Sequence, residues 1–298
     1  NDAYNDLYLY QGPTAFHPTA QISAVTLNTN VRAQWNILAA ASWALHRRSG
    51  GLSGETLTYY TQTCPTATAS AVSCYTGTNG RVYIDPVHDE FKFIVAHETG
   101  HYVARLRNSG VGANTATLGS PDGNCQAADG PMIQKRYTSL AASEGLAWYF
   151  SAVAFNQTDE SDCDFYRTGH DWDQDFNVGE NGTDPNDELT PSCQGKAAEG
   201  WAVWDYINYE CGGTLEDRGT YIDWMRAFWD ADAGYGVTTT EIFDLWVEAD
   251  PSTWDADGGS GCDVDEDPCD PEERLQNAAD RLGIGTEWGY ASAANGVR

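Results

Sequence analysis

The amino-acid sequence predicts an α+β fold: a small N-terminal lobe with a twisted sheet and a backing helix, followed by a mainly helical lobe. Three observations carry this. Short β-prone runs cluster before residue 85, helical periodicity dominates after it, and acidic charge gathers in the second half. Residues 1–150 hold 10 acidic and 9 basic side chains, whereas residues 151–298 hold 34 and 7. A chain of 298 residues, 41% of them hydrophobic, can bury a sizeable core. The expected division is an N-terminal lobe over residues 1–108 and an acidic C-terminal lobe over residues 109–298.

Residues 1–30 are polar and read as an extended lead-in. Val31 to Arg48 reads as a helix, with Trp35, Leu38, Ser42 and Leu45 near one face and Gly50-Gly51 as its stop. Three β-prone runs follow: Leu57–Thr61, Val72–Tyr75 and Arg81–Ile84. Gly77-Thr78-Asn79-Gly80 lies between the last two and carries the Asn-Gly signature of a hairpin. Asp85-Pro86 ends the strand. A helical pattern then runs from His88 to Arg107, with Asp89 and Glu90 in its first turn and Arg105 and Arg107 in its last, as the helix dipole favours. A Gly/Asn-rich loop leads to a second helix at Thr138–Phe155, and residues 156–195 form a long acidic insertion. Helices are expected at Lys196–Tyr209, Leu215–Trp229 and Thr239–Glu248, then an acidic loop at 250–270 and a last helix at Pro271–Leu282.

Composition excludes several classes. A net charge of −28 with only three lysines, Lys92, Lys135 and Lys196, repels nucleic acid and anionic membranes. No apolar run approaches the roughly 20 residues of a membrane span. The start, Asn1-Asp2-Ala3-Tyr4, has neither a basic nor an apolar leader region, so the chain reads as a mature segment. Eight cysteines with no Cys-x-x-Cys favour an oxidising compartment, and a secreted monomer is expected. Cys64 with Cys74 and Cys262 with Cys269 bracket short polar loops and read as local disulfides. Cys125, Cys163, Cys193 and Cys211 then pair in one of three ways.

The chemistry sits in His97-Glu98-Thr99-Gly100-His101, a His-Glu-x-x-His within a helical pattern. Positions i and i+4 share one helical face about 5–6 Å apart at Cβ, so two imidazoles can reach one metal ion. Glu98 points to the flank, where it can take a proton from a water on zinc without being a ligand; zinc lowers the pKa of such a water to about 7. Two histidines need a third protein ligand. A third histidine at the metzincin offset is ruled out, because Ala104 and Arg107 stand where that pattern has glycine and histidine. Glu144 and Glu199 are the candidates, each a carboxylate in an apolar helical run where it is costly to leave unpaired. Glu144 is preferred: it lies 43 residues after His101, on the next helix, which can pack directly against the first.

His-Glu-Thr-Gly-His, then Ser-Glu-Gly-Leu-Ala-Trp-Tyr-Phe at 143–150, then Gly-Trp-Ala-Val-Trp-Asp-Tyr-Ile at 200–207 resembles the gluzincin zinc metallopeptidases of the thermolysin and fungalysin kind. The resemblance covers roughly residues 81–250. It implies zinc held by His97, His101 and Glu144 at the junction of the two lobes, Glu98 as general base, Glu199 on a later packing helix, and a peptide or protein substrate. In the implied mechanism Glu98 moves a proton from the attacking water to the leaving amine. One position departs from the pattern: thermolysin has an aspartate four residues after the ligand glutamate, and here that residue is Trp148. The family also implies an oxyanion donor, His or Tyr. His170 is the chosen candidate, with Tyr102, Tyr137 and Tyr149 as rivals. The strand at Arg81–Ile84, taken as an edge, would pair with an extended substrate and so make the enzyme an endopeptidase.

Asp255, Asp257, Asp263 and Asp265 alternate with glycine on the loop around Cys262 and are a candidate calcium site; Asp171, Asp173, Asp175 and Glu180 form a second. Solvated acidity accounts for the same residues equally well. A rival overall reading is a secreted, calcium-stabilised binding or adhesion module with a structural zinc. Glu98 separates the two, because a structural site has no need of that base. The tryptophans at helical spacing, Trp201 with Trp204 and Trp224 with Trp229, read as core.

Overall fold

The computed structural model describes residues 31–47, 57–65, 73–76, 81–89, 91–113, 136–155, 166–167, 170–171, 218–219, 221–254 and 271–297. Within them the fold is α+β and mostly helical. The elements that bear on the site are helix α1 (Val31–Arg47), strands β1 (Thr58–Thr61), β2 (Cys74–Thr76) and β3 (Arg81–Ile84), and helix α2 (Lys92–Arg107). Then come β4 (Arg136–Tyr137), helix α3 (Thr138–Phe155), β5 (Tyr166–Arg167), β6 (His170–Asp171) and β7 (Arg218–Gly219). Helices α4 (Tyr221–Ala233), α5 (Thr239–Glu248), α6 (Pro271–Leu282) and α7 (Gly285–Ala294) follow. No helix of the described residues is long and apolar enough to cross a membrane.

The three-stranded sheet has the order β1-β3-β2. β2 and β3 form the antiparallel hairpin that Asn79-Gly80 predicts, with Tyr75 opposite Val82. β1 runs parallel to β3, pairing Tyr59 with Val82 and Thr61 with Ile84. This corrects one expectation: Arg81–Ile84 is the central strand. Both of its sides are hydrogen-bonded, so it has no free edge to offer a substrate, and among the described residues β1 and β2 are the outer strands of this sheet. A disulfide joins Cys64, just past β1, to Cys74 at the start of β2, with Cα atoms 5.5 Å apart. The other six cysteines lie outside the described residues.

Helix α2 begins at Lys92, four residues later than the apolar pattern suggests. Turns occupy the intervening backbone: His88 N–H donates to Asp85 O at 2.8 Å and Phe91 N–H to His88 O at 3.0 Å. Buried Asp85 organises this corner. Its carboxylate accepts from Thr63 Oγ1 and from Val87 N–H, and its own N–H donates to Ser73 Oγ. One further boundary moves and one element is added. Helix α4 starts at Tyr221, because Arg218–Gly219 pairs with β4, and α7 lies beyond Leu282, where the sequence pattern predicts the last helix to end.

Helix α2 is shared between two hydrophobic clusters. Val95 and Tyr102 pack with Ile37, Ala40 and Ala41 of α1 and with Val82 and Ile84 of the sheet. Phe93, Ile94, Ala96 and Val103 face the larger cluster built on α3, α4, α5, α6 and α7. Helix α3 is apolar on every side, as a helix must be when it packs between neighbours. Leu146, Tyr149, Phe150 and Val153 are all at 0% exposure. Its end is held by α1, where Trp43 Nε1–H donates to Ala154 O at 3.0 Å. Tyr149 O–H donates to Asp232 Oδ2 at 2.6 Å and ties α3 to α4.

Candidate metal centre

Glu144 is the one charged side chain of α3. A carboxylate in so apolar a setting requires a partner, and it finds two. Its Oε2 lies 3.1 Å from His97 Nε2 and its Oε1 lies 3.4 Å from His101 Nε2. The two imidazole Nε2 atoms are 3.1 Å apart. Bonds of about 2.0–2.1 Å around a tetrahedral ion separate neighbouring donors by about 3.3 Å. Two imidazoles and one carboxylate already spaced in this way fit a metal ion, and His97, His101 and Glu144 are the group that could hold one.

Two glycines permit this approach. A Cβ at Gly100 would stand 3.0 Å from both Cα and O of Ala147, so the absence of a side chain lets α2 settle directly on α3. A Cβ at Gly145 would stand 2.3 Å from Cβ of Trp224, so α3 in turn lies directly on α4. Each glycine is adjacent in sequence to a member of the triad: Gly100 precedes His101 and Gly145 follows Glu144. Thr99 anchors the other side of α2. Its hydroxyl donates to Val95 O at 2.7 Å, which leaves its oxygen to accept from Tyr59 O–H of β1 at 2.7 Å. Burial raises the Tyr59 phenol above its usual range, against the opposing pull of the Thr99 hydrogen bond, and so keeps it a donor.

Electrostatics in the triad are set by the partners. Burial opposes charge on Glu144, yet the His101 and His97 imidazoles outweigh it and hold the carboxyl well below the ordinary range. Burial likewise opposes charge on His101, yet the Glu144 carboxylate, and after it Glu98, raises it above its ordinary value. Glu98 itself is buried at 7% exposure, beside His97 on α2. It is not part of the donor group formed by His97, His101 and Glu144.

Trp148 fills the position where the thermolysin pattern has aspartate. It is buried, and its ring lies over His97, with centroids 3.9 Å apart and planes inclined by 31°. Sequence reasoning missed this contact; the signal was the i, i+4 spacing of Glu144 and Trp148.

The candidate oxyanion donors fare differently. Tyr102 packs among the sheet residues against Tyr75, and Tyr149 is committed to Asp232, so both are core side chains. His170 lies in β6, antiparallel to β5, where it pairs with Arg167, and β5 has Cα atoms within 8 Å of α2. The side chains of His170 and Tyr137 lie outside the described residues, as do Glu199 and the proposed calcium ligands Asp255, Asp257, Asp263 and Asp265. Compared with models of known protein families and with curated proteins, the sequence matches none.

Proposed function

We propose that the chain is a zinc-dependent metallopeptidase of the gluzincin kind, with zinc held by His97, His101 and Glu144 where α2, backed by the sheet, meets the helices. The observation that carries this reading is the convergence of two imidazoles and one carboxylate at tetrahedral spacing, with Glu98 buried next to His97 in sequence and outside that donor group. Among the described residues three protein donors converge, and three donors leave one position of a tetrahedron open, as catalytic rather than structural zinc sites do. Zinc there would supply Lewis acidity towards a carbonyl and bring water to near-neutral acidity. Glu98 takes the proton of the attacking water as the oxygen bonds to the carbonyl carbon. It then delivers that proton to the amine nitrogen as the C–N bond breaks. The resemblance calls for a His or Tyr as oxyanion donor, and His170, paired with Arg167 of β5, is the candidate. An endopeptidase that binds its substrate as an added strand would use the β1 or β2 edge.

The deciding experiment compares casein cleavage by the wild type and by Glu98→Gln, with zinc content measured in both. Glu98→Gln is expected to keep zinc and lose roughly 100- to 10,000-fold in rate, the span of general acid–base catalysis. Undiminished cleavage by the variant would refute the base assignment. If both proteins hold zinc and neither cleaves, the structural-zinc binding module becomes the better reading.

A further inference from the structure

We propose that Trp148 is the positioning residue of this metal centre: its indole face holds the His97 imidazole at the angle from which Nε2 meets His101 and Glu144. Glu144 and Trp148 are four residues apart on α3, so both lie on the face turned to α2. One face thus supplies a donor and, a turn later, a flat wall. The wall is close and dry: the ring centroids are 3.9 Å apart, and Trp148 and His97 are 4% and 5% exposed. The second torsion of a histidine is broad, so the helix alone leaves the direction of Nε2 open. An indole lying over the imidazole blocks the rotations that would swing the ring through it. Charge acts in the same direction. The face of an indole attracts positive charge, and an imidazole that ligates a divalent cation is electron-poor, so the stack tightens when the ion is held.

The inference rests on the metal-binding reading of the triad, and the test separates the two. Full-length wild type, Trp148→Phe, Trp148→Leu and Phe150→Leu are titrated with zinc against a chromophoric chelator, and the visible spectrum of each is recorded with cobalt(II) in place of zinc. Phe150 is the control: it is a buried aromatic of α3 whose ring meets Phe243 edge-on. Trp148→Phe retains an aromatic face and is expected to bind close to wild type. Trp148→Leu retains apolar bulk without that face and is expected to bind zinc about 10- to 100-fold more weakly, the effect of losing a group that orients a ligand, with an altered cobalt spectrum. Phe150→Leu is expected to change neither. The inference is overturned if Trp148→Leu loses less than about tenfold, or if Phe150→Leu weakens binding as much. Failure of the wild type to take up zinc would overturn the metal reading and this inference together.

Discussion

Burial alone would keep Glu144 protonated and His101 neutral, and each is shifted the other way by the other. The pH dependence follows. Glu144, depressed in the folded chain, contributes stability above its ordinary value of 4.5 and loses it as pH falls through its lowered one. His101, raised, contributes stability below its ordinary value of 6.5 and loses it as pH rises through its elevated one. The metal-free pair is therefore held best between those two ordinary values, where an incoming ion must displace a proton. Zinc affinity is expected to climb from pH 5.5 to pH 8, with proton release on binding largest at the acid end. Calorimetry in buffers of different ionisation enthalpy measures both, and a flat affinity across that range would contradict this account. At this scale much was legible in advance. The i, i+4 histidines are readable from spacing, and a lone carboxylate in an apolar run announces a need for partners. The Trp148 stack was not readable, because a tryptophan in an apolar helix looks like any core residue until the crossing of α2 and α3 is known.

Among elements, the close contacts of α3 with α2 and α4 matter most. Glycine inside a helix costs about 1 kcal/mol relative to alanine, so Gly145 needs a reason to be there. The reason is the backbone of α4, with Trp224 Cβ 2.3 Å from where a Cβ would stand and Met225 N at 2.9 Å. Gly145→Ala is expected to lower stability by about 1–3 kcal/mol despite its better helix propensity, as read from urea denaturation. Gly100→Ala has a milder clash, at 3.0 Å, and is expected to act chiefly on zinc affinity by shifting α2 away from Glu144. An unchanged urea midpoint for Gly145→Ala would mean that α4 yields easily. Helix cores were legible: α3 runs from Thr138 to Phe155 as its apolar pattern predicts. Their ends were less so. The delayed start of α2 depends on the Asp85 corner, whose partners Thr63 and Ser73 are distant in sequence. Helix α7 is hard to read in the sequence because glycine, alanine and serine blur its pattern, although Trp288 and Ala291 are buried.

In the molecule as a whole, the sheet and the helices meet at α2, which has side chains in both hydrophobic clusters. The disulfide between Cys64 and Cys74 ties the two outer strands together around β3. Closing so short a loop is worth about 2–3 kcal/mol on the chain-entropy view. The double variant Cys64→Ser/Cys74→Ser should lose about that much by chemical denaturation, while zinc affinity is retained because the triad lies towards α3. A midpoint equal to wild type would show that the cross-link is dispensable. The hairpin of β2 and β3 was readable from Asn79-Gly80. The parallel pairing of β1 with β3 was not, since it joins strands separated by more than a turn and nothing local encodes it. That pairing is what turns β3 from an edge into the centre.

Thr99 and Gly100 stand at the two unspecified places of His-Glu-x-x-His, yet neither is interchangeable here. Thr99 accepts from Tyr59 of the sheet, and Gly100 opens the space that Ala147 of α3 enters. A search pattern that left both places open would discard the information that aims the histidines. His-Glu-Thr-Gly-His followed by Glu-Gly-x-x-Trp should be the more discriminating signature. Chains that carry it are expected to share this helix crossing even where the rest of their sequences have diverged.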